Sequence, residues 1–211
     1  MSTFDYEKTG MLSTTIPFEL HLTTGNLVES QLDALLHLCE RLEAKPILIE
    51  LSKGDIVLQP MLSKVIEATT LDDALFVAND LSATLQQQGF AVKRLKIEVP
   101  ATHWEIFKDS SSVFSRYFEW HGKVSFNEPD QLLHLCEEHK VHLSRNALKN
   151  DHKTRFITLR EYGDHQHFEK RIDALKTDLV YYRRQLVKQE AEYCLYDNNA
   201  YLDHGWLPET N

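Results

Sequence analysis

Hydrophobic and polar positions alternate between residues 17 and 24, where Phe18, Leu20 and Leu22 are interleaved with Glu19, His21 and Thr23. A period of two marks a strand with one buried face. Asn26 is placed to cap a following helix, in which Leu32, Leu35, Leu36, Cys39 and Leu42 recur at helical spacing until Pro46 ends it. Ile47 to Leu51 reads as a strand, and Ile56 to Ile66 as another that Pro60 interrupts or bounds. Leu71, Ala74, Leu75, Ala78, Leu81 and Leu85 form a second helical stripe, with Gly89 set to stop it. Val92 to Val99 alternates again and puts Leu95, Ile97 and Val99 on one face.

The same order returns further along. Phe118 to Phe126 predicts a strand, and Asn127 and Pro129 open a helix that holds Leu132, Leu133 and Cys136. Val141 to Arg145 and Arg155 to Arg160 predict strands, Phe168 to Leu186 a helix, and Glu190 to Tyr196 a last strand. Local identities support a repeat. Phe18-Glu19-Leu20-His21 is echoed by Phe118-Glu119-Trp120-His121, and Leu35-Leu36-His37-Leu38-Cys39-Glu40 recurs intact as Leu132-Leu133-His134-Leu135-Cys136-Glu137. The expected fold class is therefore α+β, a tandem duplication of a ferredoxin-like β-α-β-β-α-β unit. Its expected divisions are a disordered lead-in over residues 1–15, repeats over 16–100 and 117–197, and a linker over 101–116 with Ser110, Ser111 and Ser112. A tail over 198–211 would pack back through Tyr201 and Trp206.

In such a unit both helices cover one sheet face and leave the other open. Strand parity puts Glu119, His121, Lys123, His142, Ser144, Thr158 and Arg160 on the open face of the second repeat, and Glu19, His21 and Thr23 on that of the first. Residues 142–160 carry Arg145, Lys149, Lys153, Arg155 and Arg160 against Asp151, a local charge of +4. These cations point to a small anionic ligand, a phosphate or carboxylate, held by Lys123, Ser144, Arg145, Arg155, Thr158 and Arg160. His21, His121 and His142 are the candidates for proton transfer. The alternative is a non-catalytic interaction module whose open faces bury each other, a second copy or a partner chain.

Charge and composition narrow the classes. The formal net charge is −9, and the open faces carry few aromatic residues, which disfavours nucleic acid as a partner. No apolar run approaches the roughly 20 residues that cross a bilayer. Three cysteines, two of them within apolar helical patterns, read as reduced buried thiols and not as a disulfide framework or a nucleophile. A cytoplasmic protein without a cofactor is the expectation.

Two H-x-[ST] elements, His21-Leu22-Thr23 and His142-Leu143-Ser144, resemble the paired motifs of the two-histidine phosphoesterases. That resemblance implies acid and base roles for His21 and His142 on a phosphoester. The sequence departs from the family pattern in that Thr24 and Arg145 follow the motifs where an apolar residue is usual. The two motifs also fall on non-equivalent strands. Asp164-His165-x-His167 reads as a helix start and not as a metal site, because no third ligand is fixed by spacing. Asp197-x-Asn199 with Asp203 and Gly205 reads as a turn, since it lacks the glycine and the terminal glutamate of a calcium loop.

Overall fold

The alternating segments form eight strands in the computed structural model, which describes residues 14–109 and 115–206. They are β1 (Ile16–Thr24), β2 (Lys45–Leu51), β3 (Leu58–Ala68), β4 (Val92–Pro100), β5 (Tyr117–Ser125), β6 (His142–Asn146), β7 (Thr154–Glu161) and β8 (Leu186–Asp197). The helical stripes form α1 (Glu29–Arg41), α2 (Leu71–Gln87), α4 (Pro129–His139) and α5 (His165–Tyr181), and a short α3 (Trp104–Phe107) lies between the halves. Caps follow the local chemistry. Thr70 accepts from the Asp73 N–H while Asp73 reaches back to the Thr70 N–H, and Asp164 accepts from the His167 N–H. β3 runs through Pro60 unbroken, because the ladder to β1 ends at Met61 and asks no N–H of the proline on that side.

The strands close into one antiparallel barrel in the order β1-β3-β2-β6-β7-β5-β8-β4. This overturns the expected tandem of open ferredoxin-like sheets. The order β4-β1-β3-β2 in one half is matched by β8-β5-β7-β6 in the other, but neither half keeps a free edge. β2 joins β6 through Ile49–Asn146, Glu50–Arg145 and Leu51–Ser144, and β4 joins β8 from Lys96–Asp197 to Pro100–Glu192. Closure satisfies the backbone groups that an open edge would leave unpaired.

The apolar layer lies outside the barrel, under the helices. Phe18, Leu20, Leu22, Ile97, Phe118, Trp120, Ile157 and Leu159 from the strands bury against Leu35, Leu81, Leu85, Leu132, Phe168 and Leu175 from the helices. Trp120 lies across the backbone of Gly122, where a Cβ would sit 2.1 Å from the indole, so only glycine fits there. Within the span expected as linker, Ala101 and Phe107 are buried, and Phe107 meets Phe18 edge-on. Ser110, Ser111, Ser112 and most of the expected lead-in lie outside the described residues.

The other strand face lines the lumen, and it is polar. Residues 198–206 close one end. Asp203 accepts from Arg94 at 3.0 Å and from Arg160 at 2.8 Å, and the Trp206 indole donates to the Leu143 carbonyl. Gly54, at φ +116°, lets the chain pass against Trp206. Tyr201 is exposed and stacks on His204. Asp203→Ala leaves two buried guanidiniums short of a carboxylate. A loss of about 3–5 kcal/mol is expected in urea denaturation; a loss within experimental error would show that the closed end does not depend on this residue.

Candidate functional site

The lumen holds a cavity of about 190 Å³. Its lining comes from all eight strands, at alternate positions on each except β6, which contributes Ser144, Arg145 and Asn146. One wall is apolar, with Ile47, Ile49 and Leu51 from β2, Met61 from β3 and Phe156 from β7. The opposite wall carries Glu19 and His21 from β1, Lys96 and Glu98 from β4, Glu119 and His121 from β5, and Glu192 from β8. The exposed lining residues, Lys45, Lys149 and Glu190, mark the mouth, and Trp206, Asp203 and Gln59 the closed end.

The repeated Glu-x-His of β1 and β5 explains the polar wall. Glu19 faces Glu98 across the β1–β4 ladder, and Glu119 faces Glu192 across the β5–β8 ladder. His21 Nε2 lies 3.1 Å from Glu98 and 3.7 Å from Glu19, and His121 Nε2 lies 3.5 Å from both Glu119 and Glu192. Lys96 Nζ bridges the two sets, at 2.9 Å from Glu98 and 2.8 Å from Glu119. The result is a chain of acids and bases, Glu19–His21–Glu98–Lys96–Glu119–His121–Glu192. Its middle carboxylates are sealed, with Glu98 1% and Glu119 2% exposed. Its ends reach the cavity, with Glu19 30% and Glu192 15% exposed.

Electrostatics separate these glutamates. Burial opposes ionisation of Glu119, but Arg160 at 2.6 Å and Lys96 outweigh it and hold the carboxyl well below its usual range. Burial likewise opposes ionisation of Glu98, and Lys96 and His21 outweigh it, so its titration shifts down. Lys96 also favours the ionised form of Glu192, but it is outweighed there. Burial, Glu98 and Glu19 push it well above the usual carboxylate range. Glu19 is lowered, because His21 and a 2.6 Å hydrogen bond from Ser63 overcome its burial, and a bond from Glu192 adds to them. The titrations of the two ends of the chain are therefore pushed apart, Glu192 towards the acid and Glu19 towards the carboxylate.

The residues expected from sequence fall in several places. Ser144, Arg145, Thr158, Arg160, His21 and His121 line the lumen. Arg160 is fully engaged by Glu119 and Asp203, and lies over the Tyr117 ring. Arg145 is held by Glu50 at 2.6 Å. Thr158 Oγ1 is bonded to His121 Nδ1 at 3.0 Å. Lys123 pairs with Asp151, and Arg155 donates to the Thr154 carbonyl and stacks over Phe126; neither belongs to the lumen lining. The cations of the anionic-ligand set thus have partners already. The faces that an interaction module would offer are enclosed in the barrel.

His142 is apart from His21. It lies behind Trp206, which lines both the lumen and a second cavity of about 450 Å³ that includes His142. Its Nε2 is buried without a hydrogen-bond partner. The two histidines of the phosphoesterase-like motifs do not line one cavity. His165 stacks on Trp104 and His167 lies 3.4 Å from Glu161, so the residues around Asp164 form a helix start. Asp197 is taken up by Arg94 and the Tyr117 hydroxyl. Among the described residues, no group of His, Cys, Asp or Glu side chains is arranged to hold a metal ion, and no helix is long and apolar enough to cross a membrane. The three cysteines are free and buried, and burial pushes Cys39 up to about 11 and Cys136 up to about 12.

Sequence reasoning missed Lys96, Glu98 and Glu192 as site residues. The signal was present, because Leu95, Ile97 and Val99 on one face of β4 place Arg94, Lys96 and Glu98 on the other. The chain matches no protein-family model, and no curated protein is detectably similar to it in sequence.

Burial, then Lys53 and Arg160, lower His142 to about 4. Because this lies below its unfolded value, its contribution is intact above about pH 6.5 and is lost as the pH falls towards 4. The loss amounts to at most about 3 kcal/mol. His142→Phe removes the titration, so its stability is expected to fall less than that of the parent between pH 7 and pH 4.5 in chemical denaturation. An equal fall in both proteins would contradict the assignment.

Proposed function

We propose that the barrel lumen binds a small, partly apolar molecule and transfers protons on it. The chain of acids and bases whose two ends open into one cavity of the barrel lumen carries this reading. A solvated surface would have no reason to gather four glutamates around two histidines and one lysine. The cavity is close in size to an apolar cavity of about 150 Å³ that accepts benzene. The molecule is therefore of single-ring size, with its apolar part against Ile49, Met61 and Phe156.

The reaction class is proton abstraction next to a carbonyl. Glu19, as carboxylate, takes a proton from the carbon while Glu192 gives its proton to the carbonyl oxygen. The product is the enol, with Glu19 protonated and Glu192 ionised. Return of a proton to carbon from Glu19 and of the O–H proton to Glu192 restores both groups, with no net redox change. His121, beside the Glu192 carboxyl, stabilises its ionised form during turnover. The apolar wall lowers the polarity beside the reacting groups, which strengthens each of these interactions.

The test is solvent deuterium incorporation, followed by NMR, into single-ring and smaller ketones and keto acids incubated with the protein in D₂O. Exchange above the buffer rate is expected with at least one compound. Glu19→Gln and Glu192→Gln should each reduce it by about 10²-fold or more. Exchange that survives both substitutions, or none with any compound, would overturn the reading.

A further inference from the structure

The cations inside the lumen are spent on carboxylates, but those at its mouth are not. Lys45, at the start of β2, and Lys149, in the loop after β6, both line the cavity and are exposed. Among the described residues, neither has a carboxylate within ion-pair distance. Arg145 beside them is different, being held by Glu50.

The register brings these lysines to one side. β2 runs antiparallel to β6, with Leu51 opposite Ser144 and Ile49 opposite Asn146. The ladder continues as a bond from the Ala147 N–H to the Leu48 carbonyl, and a turn closed by the Lys149 N–H on the Asn146 carbonyl sets Lys149 beside the middle of β2. Ile47 and Ile49 follow Lys45 along the same lining face of β2, while Ser63, opposite Lys45 on β3, bonds Glu19. The site thus brings two unpaired exposed lysines, an apolar strip on β2 and the acid–base pair into one cavity.

At the inner end the cations are already engaged. Lys96 contacts Glu98 and Glu119, Arg160 contacts Glu119 and Asp203, and Arg94 contacts Asp197 and Asp203. We infer that the substrate is a small organic anion, its carboxylate or phosphate held at the mouth by Lys45 and Lys149 and its neutral carbonyl end turned inward to Glu19 and Glu192. This rests on the lumen being the binding site. It also gives the anionic group anticipated from the sequence a different pair of partners from those that the strand pattern nominated.

The experiment is calorimetric titration of the full chain with four single-ring probes: phenylacetate, phenyl phosphate, the neutral phenylacetamide and the cationic phenethylamine. The two anions are expected to bind more tightly than the amide and the amine, and to weaken as salt is raised. Their relative affinity decides between carboxylate and phosphate. Lys45→Gln with Lys149→Gln should weaken the anions by at least tenfold and leave the amide unchanged. Both positions are exposed, so folding is not at stake. Ile49→Phe, which fills the lumen, should abolish binding of every probe, with its fold checked by circular dichroism. Amide or amine binding that equals or exceeds anion binding, is unaffected by the lysine changes and is lost in Ile49→Phe would overturn the anionic class while leaving the lumen reading standing. No binding of any probe would overturn both.

Discussion

The structure depends on pairing charge inside a closed barrel. The strands bury their apolar faces outward under the helices, so the inward faces are left with carboxylates, guanidiniums, imidazoles and an ammonium. Isolated charges in that position would cost several kcal/mol each. Arg94, Lys96 and Arg160 prevent this by each contacting two carboxylates. Arg160 joins β7 to β5 and to the segment after β8, and Arg94 joins β4 to β8 and that segment, so the same pairs that neutralise the lumen also fix its closed end.

Full pairing stops at Glu192. It sits across from Glu119, whose partners are Arg160 and Lys96, and within reach of Glu19 and Glu98. With three cations already committed, protonation is the remaining way to lower the local charge. The position where ion pairing runs out is also where the cavity reaches the polar wall. A serine or a glutamine at this position would end the network without an unpaired carboxyl, and this coincidence is what the proposed function rests on.

Much of this was legible in the sequence, and the closure was not. Alternation in Phe18 to Thr23 and Phe118 to Ser125 assigned the two faces of β1 and β5 correctly, and the Glu-x-His repeat picked out the residues that meet in the lumen. Alternation reports which face is polar but not whether water or another sheet covers it. Glu119 beside Trp120 reads the same in an open sheet and in a barrel. The seams between β2 and β6 and between β4 and β8 join residues about a hundred positions apart by backbone bonds, which carry no side-chain signature. The local excess of cations around residues 145–160 suggested an anion site. Their partners Glu50, Asp203 and Glu119 are distant in sequence, so the pairing that engages Arg145 and Arg160 could not be read. The apolar run of β2 reads only as a strand, yet Ile47, Ile49 and Leu51 form one wall of the cavity.

The central claim is that Glu192 holds a proton at neutral pH beside an ionised Glu19. Infrared spectroscopy of the protein with carbon-13-labelled glutamate measures it most directly. At pH 7 the account predicts a carboxylic-acid carbonyl band that shifts with the label, disappears in Glu192→Gln and persists in the Lys45→Gln, Lys149→Gln double variant. A spectrum at pH 7 with carboxylate bands alone, the same in the parent and in Glu192→Gln, would contradict it.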